Sequence, residues 1–555
     1  MQAMTTNLLG QPTRTLVLIL ALGLALSGSA LAAGAVAPRA MVATDHELAS
    51  QAAVSILRAG GNAMDAAVAA AFVLGVVNPQ SSGLGGGGFL LYHEAASGRV
   101  FALEYRDRAP RRAPEALERL GHGGKRRFNG LSAAVPAEAV GLEAARLRFG
   151  TMGREQLLAP AIRLAREGFP VGRLLVLMAR DYLDSSSART VEVDRLVTRR
   201  DGRGCLREDD WLCQPALART LELVASRGPG AVTSGPLARA IVRAASRYDG
   251  VMEVADLAQA SAHWVEPLRR RYRGADLFAM PPPASGAVTL MALRLVEPEP
   301  LPSMGPGSVS GTAALARALQ RAMAAKWAHL GDPAFTSVPL DTFLESAPAQ
   351  GTEPGAYADE DEPQASETTN LCVVDERGNA VAMTTSLGAA FGCRVLVPEC
   401  GFLLSSHVAD FAPAPGKPNA YGVRYGPPNV VAPGKASVSS ATPMLAFRDG
   451  KLKLAVGGSG SGRIVPAVTQ VLVDVLDFGL RPGEAVASPR FQVSGRSRAV
   501  WLEPDYPLRA RLGLPLAGLP VNVGVKRASV TAVEARPGHL FGGSDPRKFG
   551  VPLGY

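Results

Sequence analysis

The stretch that most constrains this chain is "TTNLCVVDERGNAVAMTTS", residues 368–386. Apolar and β-branched residues run up to Asp375 and away from Asn379, and between them Gly378 can take a left-handed conformation, so the segment predicts a β-hairpin centred on Arg377. Reflection about Arg377 sets Thr368 opposite Ser386, two hydroxyls facing each other across an antiparallel pair. That pairing depends on register, because a slip of one residue sends the two side chains to opposite faces. Threonine is itself a good strand former, which accounts for its abundance here without any chemistry. The preceding segment, Ala347 to Glu367, combines Pro, Gly and acidic residues with few apolar ones, the composition of an exposed tether, and a chain boundary fits there.

At 555 residues the chain outgrows one ordinary hydrophobic core, so one very large layered domain or two domains are expected. Charged residues make up 19%, a globular composition rather than a disordered one. The net charge of +9 comes from dispersed Arg with short runs at Lys125–Arg127 and Arg269–Arg271. Without interleaved aromatics these read as solvated surface, and no nucleic-acid partner is expected. The seven His show no metal-ligand spacing and no HExxH occurs, so neither a metal nor a cofactor is expected.

Residues 1–32 read as an export signal: Arg14 precedes an apolar run from Leu16 to Leu26, too short to span a membrane comfortably, and Ala30-Leu31-Ala32 is a small-x-small cleavage pattern. The expected location is periplasmic or extracellular. Export permits disulfides, and the close pairs Cys205–Cys213 and Cys393–Cys400 are the candidates, with Cys372 a buried thiol in a strand.

Helical spacing marks Glu47 to Arg58, stopped by Gly60-Gly61, and a second, almost wholly apolar helix capped by Asn62. Gly83, Gly85 and Gly88 match G-x-G-x-x-G, but the order is helix, glycines, strand, the reverse of what a dinucleotide needs, so packing is the better reading. Helical patterns dominate from Ala137 to about Ala245. "RGADLFAMPPPASGAVTLMAL" reads strand, proline turn, helix. "KLKLAVGGSGSGRIVPAVTQVLVDVLDFGL" reads strand, Gly/Ser loop, helix, an order that suits an anion site although no P-loop GK[ST] follows.

A threonine beginning a strand at the end of a tether permits a specific reaction. Thr368 Oγ1 attacks the Glu367 carbonyl, an ester forms, and water cleaves the chain. The new α-amine, titrating near roughly pH 8, then serves as the base for its own hydroxyl.

The residues that carry this chemistry resemble the γ-glutamyltranspeptidases (glutathione hydrolases), of the N-terminal-nucleophile hydrolase class. The likeness runs from about Ala43 to Tyr555 and rests on "GGNAMDAAVA", "GLGGGGF", "EYRDRAP", "MPPPASG", "HLGDPAF", the "TT" start with "GNAVA", "SVSSATPM", "GGSGSGRI" and "GGSDPR". It implies an α+β fold, a four-layer αββα sandwich. It also implies a large fragment (33–367, ending in the tether 347–367) and a small catalytic fragment (368–555), paired as a heterodimer. Thr368 matches the nucleophile, Glu367 the residue before the cut, and Ser386 the supporting hydroxyl. Gly460 and Ser461 match the oxyanion-stabilising pair. Arg106 matches the α-carboxylate ligand and Asp410 the α-amino ligand. Ser439 and Ser440 match the serine pair near the carboxylate, and Tyr421 the gating aromatic of a lid loop.

The resemblance implies γ-glutamyl amides such as glutathione as donors, with an amino acid, a peptide or water as acceptor. Departures bear on this: Gly388 stands where the family has Asn, His407 replaces Gln or Glu, Ala409 replaces a polar neighbour of Asp410, and Asn370 replaces His or another polar residue. Two alternatives stay open: an acylase for amides lacking an α-amino group, and a non-cleaving paralogue with a binding role.

Overall fold

In the computed structural model two seven-stranded antiparallel sheets stack face to face, each covered on its outer side by helices. The structure describes residues 34–120, 128–185, 189–199, 201–345, 366–524 and 528–555. The signal segment 1–32 and most of the tether lie outside these.

The first sheet runs Gly34–Ala37, His539–Ser544, Ser529–Arg536, Lys451–Ser459, Met444–Arg448, Ala275–Ala279, Leu268–Tyr272. The second runs Leu553–Gly554, Met41–Thr44, Ser366–Val374, Ala380–Ala389, Gly87–Glu94, Arg99–Tyr105, His263–Val265. Both draw strands from either side of Thr368, so the two expected fragments interleave within each sheet.

Strand alternation sorts the side chains into three cores. Leu371, Val373, Val381 and Met383 face outward, against the helices Glu47–Arg58 and Ala63–Val77. Cys372, Val374, Ala380 and Ala382 face inward and meet Leu445, Phe447, Ala455 and Val533 of the other sheet. The outer face of that other sheet packs on the helices Gly286–Val296, Val309–His329 and Ile464–Leu476. Helix Ala63–Val77 is buried on nearly every side, and its start is fixed by a capping box: Asp65 N donates to Asn62 Oδ1 and Asn62 N to Asp65 Oδ2, both at 3.0 Å.

The hairpin forms about Arg377, with Val374 paired to Ala380 and Thr369 to Thr385. Two features differ from expectation. The strand begins at Ser366, so the last two residues of the supposed tether pair with Ala389 and Gly388 and are strand, not loop. Between Glu367 and Thr369 the register shifts by one: Thr368 alone stands opposite Ser386 and Leu387, so the extra residue of this β-bulge lies on the partner strand, across from Thr368. A bulge re-aims a side chain and loosens the ladder locally, and here it falls at the peptide bond expected to break.

The glycine run is close packing, as its order suggested. A Cβ at Gly86 would strike the carbonyl of Ser386, and one at Gly88 that of Thr384. The absence of side chains lets this strand lie against the hairpin.

Candidate active site

Toward one end, the inward face of the hairpin changes from apolar to hydroxyl and amide side chains. Thr368, Thr384 and Ser386 line a cavity there. Thr368 Oγ1 lies 2.9 Å from Ser386 Oγ. Ser386 Oγ also accepts from Gly388 N at 2.9 Å and donates to the Glu367 carbonyl at 3.2 Å. A serine hydroxyl has one proton and two lone pairs. With its proton on the Glu367 carbonyl, it receives the Thr368 proton, giving a relay from Thr368 O–H to Ser386 O–H to the carbonyl. The hydroxyl that polarises the carbonyl also aligns the Thr368 hydroxyl.

Behind this group Asp45, fully buried, ties the sheets together: it accepts from Asn370 N at 3.0 Å, Ser459 Oγ at 3.1 Å and Ser529 Oγ at 2.9 Å. Burial pushes its carboxyl up, and the nearby Lys548 charge opposes that. Asn370 is a second tie, accepting from Thr384 Oγ1 at 2.8 Å and donating to Thr531 Oγ1. Its role is to join strands, which explains why an amide suffices at this position.

At the other end of the cavity Arg106, 2% exposed, splays its guanidinium among three partners. Nη2 donates to Asp410 Oδ2 and to Ser437 Oγ, each at 3.0 Å, and Nη1 lies 2.9 Å from His407 Nε2. His407 Nδ1 faces both oxygens of Asp107, at 2.8 and 2.7 Å. A carboxylate on Nδ1 and a guanidinium on Nε2 fix one tautomer: Nδ1 carries the proton and Nε2 accepts from Arg106. Burial would raise the Asp107 carboxyl, but His407 and Arg106 outweigh it and hold it below its ordinary value.

Gly388 (φ 89°) packs against this histidine. A Cβ there would come within 2.5 Å of Ser406 Oγ and 2.9 Å of His407 Cδ2. A side chain at 388 would therefore have to displace both the Ser406 hydroxyl and the His407 imidazole.

The rest of the cavity is walled by Phe89, Trp327, Val423, Tyr425, Val438 and Ile464. Tyr421 places its hydroxyl 3.2 Å from Ser406 Oγ. Its loop is held by Asn419, whose Oδ1 accepts from Tyr421 N and Val423 N at 2.9 Å, and whose Nδ2 donates to the Asp410 carbonyl at 3.2 Å. Ser439 and Ser440 both reach the cavity. Lys326 Nζ, almost fully buried, donates to Ser440 Oγ at 2.5 Å. Gly460 and Ser461 both have positive φ (124° and 58°), at the passage from the strand Lys451–Ser459 into the helix Ile464–Leu476.

The sequence pattern of the family described as gamma-glutamyltranspeptidase matches residues 49–555. The chain belongs to this family. It is 33% identical over 532 residues to the glutathione hydrolase proenzyme of Escherichia coli (strain K12), covering 92% of this chain and 91% of that one. It is also 33% identical over 478 residues to the acylase ACY 1 proenzyme of Pseudomonas sp. (strain SE83), covering 82% and 83%. In structure it matches a cephalosporin acylase from Bacillus halodurans with a TM-score of 0.82 and 26% identity, over 94% of this chain and 97% of that one. The αββα sandwich agrees with that neighbour.

Of the residues that γ-glutamyltranspeptidase resemblance selected, one cavity gathers Thr368, Ser386, Arg106, Asp410, Gly388, His407, Ser439, Ser440, Tyr421 and Ser461. Gly460 stands one residue behind that lining. Sequence reasoning missed Asp107, Ser437, Lys326 and Lys548. Asp107 and Ser437 sit inside quoted motifs, but nothing in a motif says which side chain turns inward.

The expected disulfides do not form, since all five cysteines are free. Cys213 Sγ faces the Glu167 carbonyl at 3.5 Å, and Cys400 Sγ the Leu237 carbonyl at 4.0 Å. Cys393 and Cys400 are fully buried, with thiols pushed up to about 12 by burial. Short sequence separation did not bring either pair of sulfurs together.

Proposed function

We propose that this chain cuts itself between Glu367 and Thr368 and then cleaves γ-glutamyl amides through a γ-glutamyl ester on Thr368. In the first reaction Thr368 Oγ1 adds to the Glu367 carbonyl while Ser386 donates to that carbonyl. The peptide nitrogen leaves as the Thr368 α-amine, and water hydrolyses the ester. In the second, the freed amine takes the Thr368 hydroxyl proton as the oxygen attacks the substrate γ-carbonyl, then gives it to the leaving amine. The N–H groups of Gly460 and Ser461 hold the oxyanion. Water, an amino acid or a peptide amine completes the cycle. Removal of residues 1–32 on export belongs to the same reading.

The observation that carries it is that a single cavity holds Thr368 and Ser386 at one end and the Arg106–Asp410 ion pair at the other. An amino-acid head group carries one carboxylate and one ammonium, so it can replace that pair member for member, its carboxylate going to Arg106 and its ammonium to Asp410.

The acylase reading keeps one specific support: the aromatic and aliphatic wall of Phe89, Trp327, Tyr425 and Val438 suits a larger apolar group, and an acylase is among the relatives. Comparing a γ-glutamyl anilide with the glutaryl anilide, which lacks only the α-amino group, decides between them. A preference of about 100-fold for the γ-glutamyl compound is expected from a charged hydrogen bond to Asp410. Equal rates, or a preference for glutaryl, would support the acylase.

A further inference from the structure

Lys548 is a buried cation beside the bond that the self-cleavage reading breaks, and no part of the mechanism above uses it. Its Nζ pairs with Glu367 Oε2 at 2.6 Å and donates to the Thr368 carbonyl at 2.7 Å. These two acceptors belong to the residues on either side of the Glu367–Thr368 peptide bond. Ser81 Oγ donates to the same Glu367 Oε2 at 3.3 Å. Glu367 is 7% exposed and Lys548 6%, so the pair is shielded from water.

We propose that Lys548 and Ser81 form a recognition site for a carboxylate side chain on the acyl side of the cut, and that this site positions the Glu367 carbonyl for attack. The inference rests on the self-cleavage reading. At the bulge the ladder pairs Glu367 and Thr369 but skips Thr368, and the carbonyl carbon must still stay within reach of Thr368 Oγ1. One ammonium bridging both flanking residues supplies the missing constraint, and it leaves Ser386 free to polarise the carbonyl.

Lys548 is itself held rigidly. It ends the turn Pro546–Lys548, where Asp545 accepts from Arg547 N at 2.9 Å and Val530 N at 3.1 Å and pairs with the buried Arg490 at 2.5 Å. The cleavage site is thus read by the far C-terminal segment, and cutting waits until that segment has docked. Lys548 acts as a positioning residue: the covalent step remains addition of Thr368 Oγ1 to the carbonyl, transfer of its proton to the departing nitrogen, and hydrolysis of the ester to the Glu367 carboxylate and the Thr368 hydroxyl.

The test is the half-life of the uncut full chain after synthesis, followed by intact mass, for wild type, Glu367→Gln, Glu367→Ala, Lys548→Met, the double variant Glu367→Ala/Lys548→Met, Lys548→Arg, and the charge swap Glu367→Lys/Lys548→Glu. Breaking a buried charged pair slows positioning by about tenfold or more. Glu367→Ala and Lys548→Met should each show that loss, Glu367→Gln a smaller one, and the double variant no more than the worse single. Lys548→Arg should recover much of the rate, which a merely structural lysine would not allow; the swap should recover only the part owed to the pairing with residue 367, because a carboxylate at 548 cannot donate to the Thr368 carbonyl. Glu367→Ala lies on the substrate side and keeps the test valid if Lys548→Met fails to fold. A wild-type chain that cuts while Glu367→Ala cuts equally fast overturns this inference alone. A wild-type chain that never cuts removes the self-cleavage reading and this inference together.

Discussion

The two ends of the cavity are built in opposite ways. At the nucleophile end, Thr368 and Ser386 are 18 positions apart in sequence and meet because a hairpin pairs them. At the other end, Arg106 reaches His407, Asp410 and Ser437 across separations of 301, 304 and 331 positions. Strand register fixes which backbone positions face each other at the first end, whatever side chains they carry. The other end is assembled from segments distant in the chain and includes His407, against which Gly388, from the hairpin strand itself, packs. The proposed self-cleavage chemistry and the proposed substrate choice therefore sit at separate ends of the cavity.

The sharpest way to break that separation is at Ser386. Replacing it with Ala removes the carbonyl's donor and the nucleophile's partner together, and self-cleavage should slow by about 10²- to 10³-fold. Ser386→Thr, which keeps the hydroxyl, should restore most of it; gel or mass time courses on both variants decide. If Ser386→Thr is as slow as Ala, shape rather than the hydroxyl governs this end.

Next in size is Asp410→Asn. The ion pair to Arg106 is lost and the ammonium ligand goes with it, so kcat/KM for a γ-glutamyl anilide should fall about 10- to 100-fold while self-cleavage stays within about twofold. Equal losses in both reactions would show the two ends to be one unit.

The coupling of Gly388 and His407 gives a stability test. Gly388→Asn places a Cβ against Ser406 and His407 on a backbone with φ of 89°, and should cost about 2 kcal/mol in denaturant unfolding. Adding His407→Gln frees the space and should recover part of that. An additive double variant would mean the two positions changed independently.

The smallest effect concerns Glu138, which accepts from Thr385 Oγ1 at 2.5 Å on the outer face of the hairpin. Burial raises its carboxyl from 4.5 to about 8. The folded state therefore binds a proton that the unfolded state releases above pH 4.5, so this group's stabilisation is complete below pH 4.5 and fades as pH rises toward 8. Glu138→Gln should raise the melting temperature by about 2 °C at pH 8 and by less at pH 5. A shift independent of pH would show that Glu138 is already ionised in the fold.

Legibility in the sequence follows the same division. Helix Glu47–Arg58, the Asn62 cap and the hairpin centre at Arg377 could be read directly, because each depends on neighbours within one period of a regular element. The bulge opposite Thr368 could not, since a register shift leaves no compositional trace. Asp107 and Lys548 were invisible for another reason: a charge beside a motif is ordinarily solvated, and only the packing of distant segments turns these two inward. The four-layer order and the residues at the amino-acid end came through family resemblance rather than periodicity. The cysteine pairs failed because nearness in sequence was taken for nearness in space.

The central claim is that the Glu367–Thr368 peptide bond, facing the bulge, cuts itself. Intact mass and N-terminal sequencing of the purified protein, beside Thr368→Ala, test it most directly. The account predicts two fragments, the smaller beginning at Thr368, and a single uncut chain in the variant. A folded wild-type protein that remains one chain would contradict it.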